Sequence, residues 1–216
     1  MPLYVKTDPD GISNPVRYTL GELRRENPST KFPRVIPENV LEEYYVFPLI
    51  EDLDEPDFDP LSQKLVEDIF HDGEKFVRRY VVEDLPLMQA ISNRIEQVAK
   101  ERFAKETGGI VWVDSSTGKL WYIATDLDSQ GRINAAKTAV DQGFRVDGSV
   151  WKTAEINPST GAFTLTYRPT DNAEISQWAQ LVHTHVQKCF TAEALVNNKI
   201  FQGDFSSSFQ QEFDSL

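Results

Sequence analysis

Proline spacing is the feature that most limits how the first half of this chain can fold. Most of the 12 prolines lie before residue 87, among them Pro15, Pro28, Pro33, Pro37, Pro48, Pro56, Pro60 and Pro86. Because proline fixes φ and removes a backbone N–H donor, this spacing divides the N-terminal half into short elements.

Two short helices are predicted in this half. Thr19 and Glu22 fit a capping box, so a helix should start there and end by Asn27, since Pro28 disfavours the helical conformation of its predecessor. A second helix should begin at Pro37 and run into the aromatic patch at 44–47. Six acidic residues and two prolines between 51 and 60 predict a solvated linker or a wide loop.

A β-hairpin is predicted at residues 64–82. Two runs rich in β-forming residues, 64–71 and 74–82, flank the pair Asp72-Gly73. An Asp-Gly pair in this position favours a two-residue turn, in which both central residues need positive φ.

The hydrophobic period changes after residue 84. Apolar residues recur at helical spacing at Leu87, Ile91, Ile95, Val98 and Phe103. This pattern predicts one amphipathic helix of about 20 residues over 84–106, which the pair Gly108-Gly109 should end.

The remaining sequence alternates strand and helix patterns. Residues 110–113 and 119–124 flank the turn sequence 115–118, which predicts a second hairpin. Thr125 could then cap a helix whose first turn contains Asp126 and Asp128. The other predicted elements are strands at 146–153 and 162–167 and a long helix at 172–198.

These elements predict an α+β fold with four segments. The segments are a small N-terminal attachment region with the Asp-Gly hairpin (1–84), a connecting helix (85–107), a C-terminal α+β domain with antiparallel strands and a long helix (108–200), and a phenylalanine-rich tail (201–216). Charge is also uneven, because residues 1–84 contain 19 acidic and 10 basic residues and residues 85–216 contain 15 and 12.

The tail contains the strongest candidate binding residues. Phe201, Phe205, Phe209 and Phe213 recur every four positions and would line one face of a helix, with small or polar residues between them. Either they pack back onto the same chain, or they dock into a groove on a neighbouring subunit.

Composition argues against several classes of partner. The formal net charge of −12 and the lack of a basic stripe exclude nucleic acid as an expected ligand. No apolar run reaches the roughly 18 residues of a transmembrane helix, and residues 1–8 do not resemble a secretory signal. We therefore expect no membrane insertion and a protein made and kept in the cytoplasm.

The histidine and cysteine positions do not predict a catalytic, cofactor or metal site. His183 and His185 are two residues apart and would point in different directions on a helix. His185 and Cys189 share a face, but two further zinc ligands are not visible nearby. Cys189, the one cysteine, is interpreted as a buried hydrophobic residue, with an intermolecular disulfide as the alternative.

The four tryptophans also have two possible roles, in the core or in ligand binding. Trp112, Trp121, Trp151 and Trp178 lie at predicted strand and helix positions, which favours a core role. The alternative is a ligand platform built from exposed rings.

Two stretches resemble proteins of bacteriophage tails. The first, from Tyr18 to Pro28 with Phe32-Pro33, Ile36-Pro37 and the Asp72-Gly73 hairpin, is similar to small proteins encoded beside tail-fibre genes. The second, from Trp121 to Ile200, is similar to an uncharacterised C-terminal domain of tail-fibre and fibre-assembly proteins. The resemblance implies a role in the tail, no enzymatic activity and no established functional residues.

Together these features predict a non-enzymatic structural component of a phage tail, a fibre or fibre-attachment subunit located in the virion. Expected partners are other tail proteins, fibre or baseplate subunits, and further copies of the chain, with a trimer as the form common among tail fibres. A tail-fibre assembly chaperone absent from the virion is one alternative. A carbohydrate-binding host-attachment module that uses exposed tryptophans is another.

Overall fold

The computed structural model describes residues 3–52 and 54–216 and confirms a mixed α+β fold. The chain divides into two compact units, Met1–Ala90 and Ile91–Leu216. This boundary lies inside the predicted connecting helix, α3, which spans Leu87–Thr107. Most of that helix, the predicted C-terminal domain and the tail therefore belong to one unit.

The first unit is built on a five-stranded sheet of order β2-β1-β3-β5-β4. Its elements are β1 (Leu3–Lys6), β2 (Val16–Tyr18), α1 (Leu20–Glu26), α2 (Glu38–Glu42), β3 (Val46–Glu51), β4 (Gln63–His71) and β5 (Phe76–Asp84). β3 and β5 are parallel, whereas the other neighbouring strands are antiparallel.

Local signals placed both helices of the first unit. The Thr19–Glu22 capping box is present, and Asn27 is the C-cap of α1. Pro37 is the N-cap of α2, but this helix ends at Glu42 and does not continue into the aromatic patch. Tyr45 adopts a positive φ of 58°, which turns the chain out of the helix so that Val46 can begin β3.

The Asp-Gly hairpin is confirmed, but the predicted turn is wrong. β4 and β5 pair from Gln63 and Asp84 to His71 and Phe76, which leaves a four-residue loop. Gly73 has positive φ, whereas Asp72 does not. Instead, Asp72 Oδ1 accepts hydrogen bonds from the amides of Glu74 (3.0 Å) and Lys75 (2.9 Å), which stabilises the longer loop.

The second unit contains an antiparallel four-stranded sheet of order β6-β7-β8-β9. Its strands are β6 (Ile110–Val113), β7 (Leu120–Ile123), β8 (Val150–Ile156) and β9 (Phe163–Pro169), and its helices after α3 are α4 (Leu127–Asp141), α5 (Asn172–Phe201) and α6 (Phe209–Ser215). The second predicted hairpin is thus confirmed as β6 and β7, and the predicted long helix as α5.

The cap predicted for α4 is wrong by one residue. Asp126 is the N-cap, and its carboxylate accepts a hydrogen bond from the Ser129 amide at 3.0 Å. Thr125 is fully buried, and its hydroxyl donates to the Glu106 carbonyl and accepts from the Gly109 amide. These contacts join the end of α3 to the start of α4, so the hydroxyl is not available as a cap.

Two apolar clusters stabilise the second unit. One joins the sheet to α4 and α5 and contains Trp112, Trp121, Ile123, Ile133, Ile175, Trp178 and Val182. The other joins α3, α5 and α6 and contains Val98, Cys189, Ala192, Val196, Ile200, Phe209 and Phe213.

Candidate functional site

The main candidate is the face of the β6–β9 sheet that points away from its helices. In an antiparallel sheet, directly opposite residues project to the same face. Val111, Tyr122, Ala154 and Leu165 lie in one such row across the four strands. The exposed apolar residues on this face are Val111, Val113, Val150, Phe163, Leu165 and Tyr167, which we call the outer sheet face.

These six side chains are largely accessible to water. Their exposed fractions range from 55% at Val113 to 67% at Tyr167. Phe163 also contacts Tyr122 edge to face, with ring centroids 5.2 Å apart, which places Tyr122 on the same side. The six residues come from β6, β8 and β9, and the half-buried Leu120, Tyr122 and Ile156 lie between them on the same face, which also carries the exposed Lys152.

Bulky aromatic residues occupy the opposite face of the sheet. Trp112, Trp121 and Trp178 are buried, and the guanidinium carbon of Arg168 lies 4.5 Å from the Trp121 ring centroid. Arg168 Nη2 also donates to Glu174 Oε1 at 2.6 Å. The tryptophans and the Arg168–Glu174 pair fill the space beneath β9, so its apolar residues point outward.

A cleft of about 460 Å³ adjoins the outer sheet face. It opens where β7 ends and β8 continues, beside the first turns of α4. Two of its lining residues, Val150 and Leu165, belong to the outer sheet face, while Asp126, Arg132 and Lys152 add charges of both signs. The face and the cleft therefore form one continuous surface.

The four candidate phenylalanines do not share a helix face, so that prediction is wrong. Phe201 ends α5 and is 67% exposed, and Phe205 lies in the connection to α6. Phe209 and Phe213 lie on α6 and are buried in the second cluster. Gly203, with a positive φ of 86°, helps turn the chain between the two helices.

Phe209 and Phe213 therefore pack back onto their own chain and are not available to a partner. Arg94 Nη2 donates to the Ser207 carbonyl at 3.1 Å, which attaches the segment before α6 to α3. Lys199 Nζ pairs with Glu212 Oε1 at 2.6 Å and joins α5 to α6.

Cys189 is fully buried, which favours the core interpretation over the intermolecular disulfide. Burial raises the pKa of its thiol to about 11, so the thiolate is disfavoured at neutral pH. His185 Nε2 lies 3.8 Å from the sulfur and 2.9 Å from the Lys105 carbonyl. When Nε2 donates to that carbonyl it has no lone pair to accept the thiol proton, so the pair does not match an activated nucleophile.

The four tryptophans do not form an exposed platform of rings. Trp112, Trp121 and Trp178 are buried in the first cluster, and Trp151 packs against it. The rings are thus core residues, as expected from their positions.

In residues 3–52 and 54–216, no group of three or more His, Cys, Asp or Glu side chains is placed to hold a metal ion. None of the helices in this described part of the chain combines the length and apolar character needed to cross a bilayer.

Sequence reasoning missed the outer sheet face. In β9, Phe163, Leu165 and Tyr167 alternate with Thr164 and Thr166, a pattern that ordinarily assigns the apolar residues to the core. The available signal was β6, whose sequence Ile-Val-Trp-Val is apolar on both sides and indicates a strand covered on both faces.

A protein-family model matches the part of the chain that contains the candidate site. The model of a domain of unknown function, DUF4376, matches residues 89–213, which include the whole β6–β9 sheet and helices α4 and α5. No curated protein and no solved structure matches the chain.

Proposed function

We propose that this chain, which belongs to the DUF4376 family of unknown function, is a structural component of a bacteriophage tail that acts through protein–protein assembly. Its role would be that of a fibre or fibre-attachment subunit without catalytic activity. The single observation that carries the proposal is the outer sheet face.

The size of this face favours a protein-binding role. Six apolar side chains that are 55–67% exposed present on the order of 600 to 700 Å² of surface. The largest apolar patch on a typical monomer is about 300–600 Å² and is often functional. Because exposed apolar surface costs about 25 cal/mol per Å², covering this face with another protein would stabilise a complex substantially.

The cleft adds a feature common to protein contacts. Binding energy concentrates where an anchoring side chain of one partner fills a pocket of the other. Here an apolar anchor could contact Val150 and Leu165, while Arg132 and Lys152, which also line the cleft, could form polar contacts around it.

Cys189 and His185 support the proposal that the chain has no catalytic activity. These are a nucleophilic and a basic side chain in contact, but the thiol is buried and its pKa is raised. The geometry supports a packing role for both.

Placement in a phage tail rests on the resemblance of the Tyr18–Pro28 and Trp121–Ile200 stretches to tail proteins. The matched family overlaps the second stretch, and its description names no function. Residues 1–90 carry 19 acidic and 10 basic residues. We propose that this acidic unit contacts a basic surface on another tail protein, since opposite charges steer such encounters.

Two lysine substitutions in phage that encode this chain test the assembly role of the outer sheet face. Tyr167 and Phe201 are both 67% exposed aromatic residues, but only Tyr167 belongs to the face. Tyr167→Lys places a charge in the proposed contact, so we expect a loss of infectious particles of at least about tenfold. Phe201→Lys is expected to leave the titre unchanged.

Equal titres for the two variants would contradict the proposal. A larger loss for Phe201→Lys would instead assign assembly to the C-terminal segment. Purified variants with unchanged circular dichroism would show that neither effect comes from misfolding.

A further inference from the structure

We propose that a second copy of this chain covers the outer sheet face, so that two β6–β9 sheets pack face to face around a two-fold axis. This inference rests on the proposed function only in assigning the face to protein contact. It names the occupant, which the proposed function does not.

The area of the face suits a dimer contact. A standard stable interface buries about 800 Å² on each partner. The six residues of the outer sheet face provide on the order of 600 to 700 Å². The half-buried residues beside them, such as Tyr122, and the mouth of the cleft extend the area toward the standard value.

The shape of the face also suits a second sheet. Sheets pack about 10 Å apart with their strands within about 30° of alignment, and the side chains of the two faces interdigitate. Neighbouring strands here are antiparallel and in continuous register from Val113 through Leu120 and Ile156 to Phe163. A second copy presents the same row, and two-fold contacts require such a self-complementary patch.

Charge favours a second copy over a strongly charged partner. Among the outward-pointing residues of the four described strands, Lys152 is the charged one. Residues 91–216, which contain the face, carry 15 acidic and 12 basic residues. Two such units approach with little net repulsion, whereas a highly charged partner would find only one charged side chain, Lys152, on the face itself.

Charges of both signs lie beside the face, which suits a surface that meets its own copy. Asp126, which caps α4, and Arg132, which pairs with Asp128 at 2.7 Å, both line the cleft beside the face. In a two-fold arrangement, an acid of one copy can meet a base of the other, and the same pair then forms twice. A rim of one sign would instead repel its own copy.

Sedimentation equilibrium of the purified full chain tests this inference. We expect a mass twice the 24.6 kDa of one chain for the wild type and for Phe201→Lys. Tyr167→Lys is expected to have the mass of a single chain. Leu165→Thr, which keeps a β-favouring residue in β9, should weaken dimerisation by about tenfold or more, because the contact is lost in both copies.

Three results would overturn the inference. They are a single-chain mass for the wild type at every concentration, a three-chain mass, and a two-chain mass that neither Tyr167→Lys nor Leu165→Thr weakens. The Leu165→Thr result decides the matter if Tyr167→Lys does not fold. A wild-type monomer together with a Tyr167→Lys assembly defect in phage would reject the second copy and leave the proposed function standing. A wild-type dimer together with normal assembly of the Tyr167→Lys phage would support the second copy and reject the proposed function.

Discussion

The ring of Tyr122 lies directly against the backbone of Gly109, at the end of α3. The Tyr122 hydroxyl donates to the Gly108 carbonyl at 3.1 Å. A Cβ atom at Gly109 would lie 2.2 Å from the ring, and Gly109 has a positive φ of 83°. The Gly109 amide donates to the buried Thr125 hydroxyl at 2.8 Å. Gly109 therefore joins α3, β7 and the start of α4, in addition to ending a helix.

Substitution of Gly109 should destabilise the chain more than the same change at a matched turn glycine. Gly118 also has a positive φ, of 72°, but a Cβ there would meet nothing within 4 Å. Gly118→Ala should lower the free energy of unfolding by about 1–2 kcal/mol, the cost of a left-handed conformation. Gly109→Ala should cost about 1–3 kcal/mol more because Tyr122 must move.

Urea denaturation of the two purified variants measures this difference. Equal losses of stability would contradict the contact between Tyr122 and Gly109. A larger loss for Gly118→Ala would do so more strongly.

At the scale of elements, the C-terminal segment shows why a four-residue period can mislead. The four phenylalanines have helical spacing, but α5 ends at Phe201 and α6 begins at Phe209. Ser208 and Gln211 form a capping box, a signal that was readable in the sequence and that starts a new helix. The periodicity therefore spans two helices and a turn.

Phe209 and Phe201 occupy equivalent positions in the four-residue repeat, but the burial of α6 predicts that their substitution affects stability differently. Phe209 is 2% exposed and packs in the second cluster, whereas Phe201 is 67% exposed. Phe209→Ala should lower the free energy of unfolding by about 3–5 kcal/mol, because it leaves a cavity between α3, α5 and α6. Phe201→Ala should change it by less than about 0.5 kcal/mol.

Chemical denaturation followed by far-ultraviolet circular dichroism distinguishes the two. Similar small effects would mean that α6 contributes little to the core, contrary to its packing against Val98 and Cys189. A large effect at Phe201 would indicate that it is covered in solution.

Strands were predicted where turns identified them and missed where pairing is long-range. The β4–β5 and β6–β7 hairpins have local turn signals. β3 has none, and Pro48 in it argues against an interior strand. Its pairing with β5 begins at Leu49, so Pro48 pairs with Tyr4 of β1 and lies outside the β5 ladder. Register of this kind depends on distant residues and is not readable from a local pattern.

At the scale of the whole molecule, the candidate site also could not be predicted from local sequence patterns. Local patterns predicted the α+β class, the capped α1 and the helices α3 and α5. They could not show which face of β9 would be covered, because that depends on the tryptophans and Arg168, which come from several separate elements. The outer sheet face is exposed because the tryptophans and Arg168 fill the space on the other side of the sheet.

At the scale of the whole molecule, we propose that the chain works as a part of an assembly. Its two units differ in charge, with most of the net −12 on residues 1–90, and the less charged unit carries the outer sheet face. We therefore propose that the second unit joins copies of the chain and that the acidic first unit contacts another tail protein.

Quantitative mass spectrometry of purified particles of a phage that encodes this chain tests that claim most directly. We expect the chain in every preparation, at a fixed small-number ratio to a tail subunit. Absence from the particles would contradict a structural role. If the absent chain were instead bound to fibre protein in lysates, it would act as an assembly chaperone.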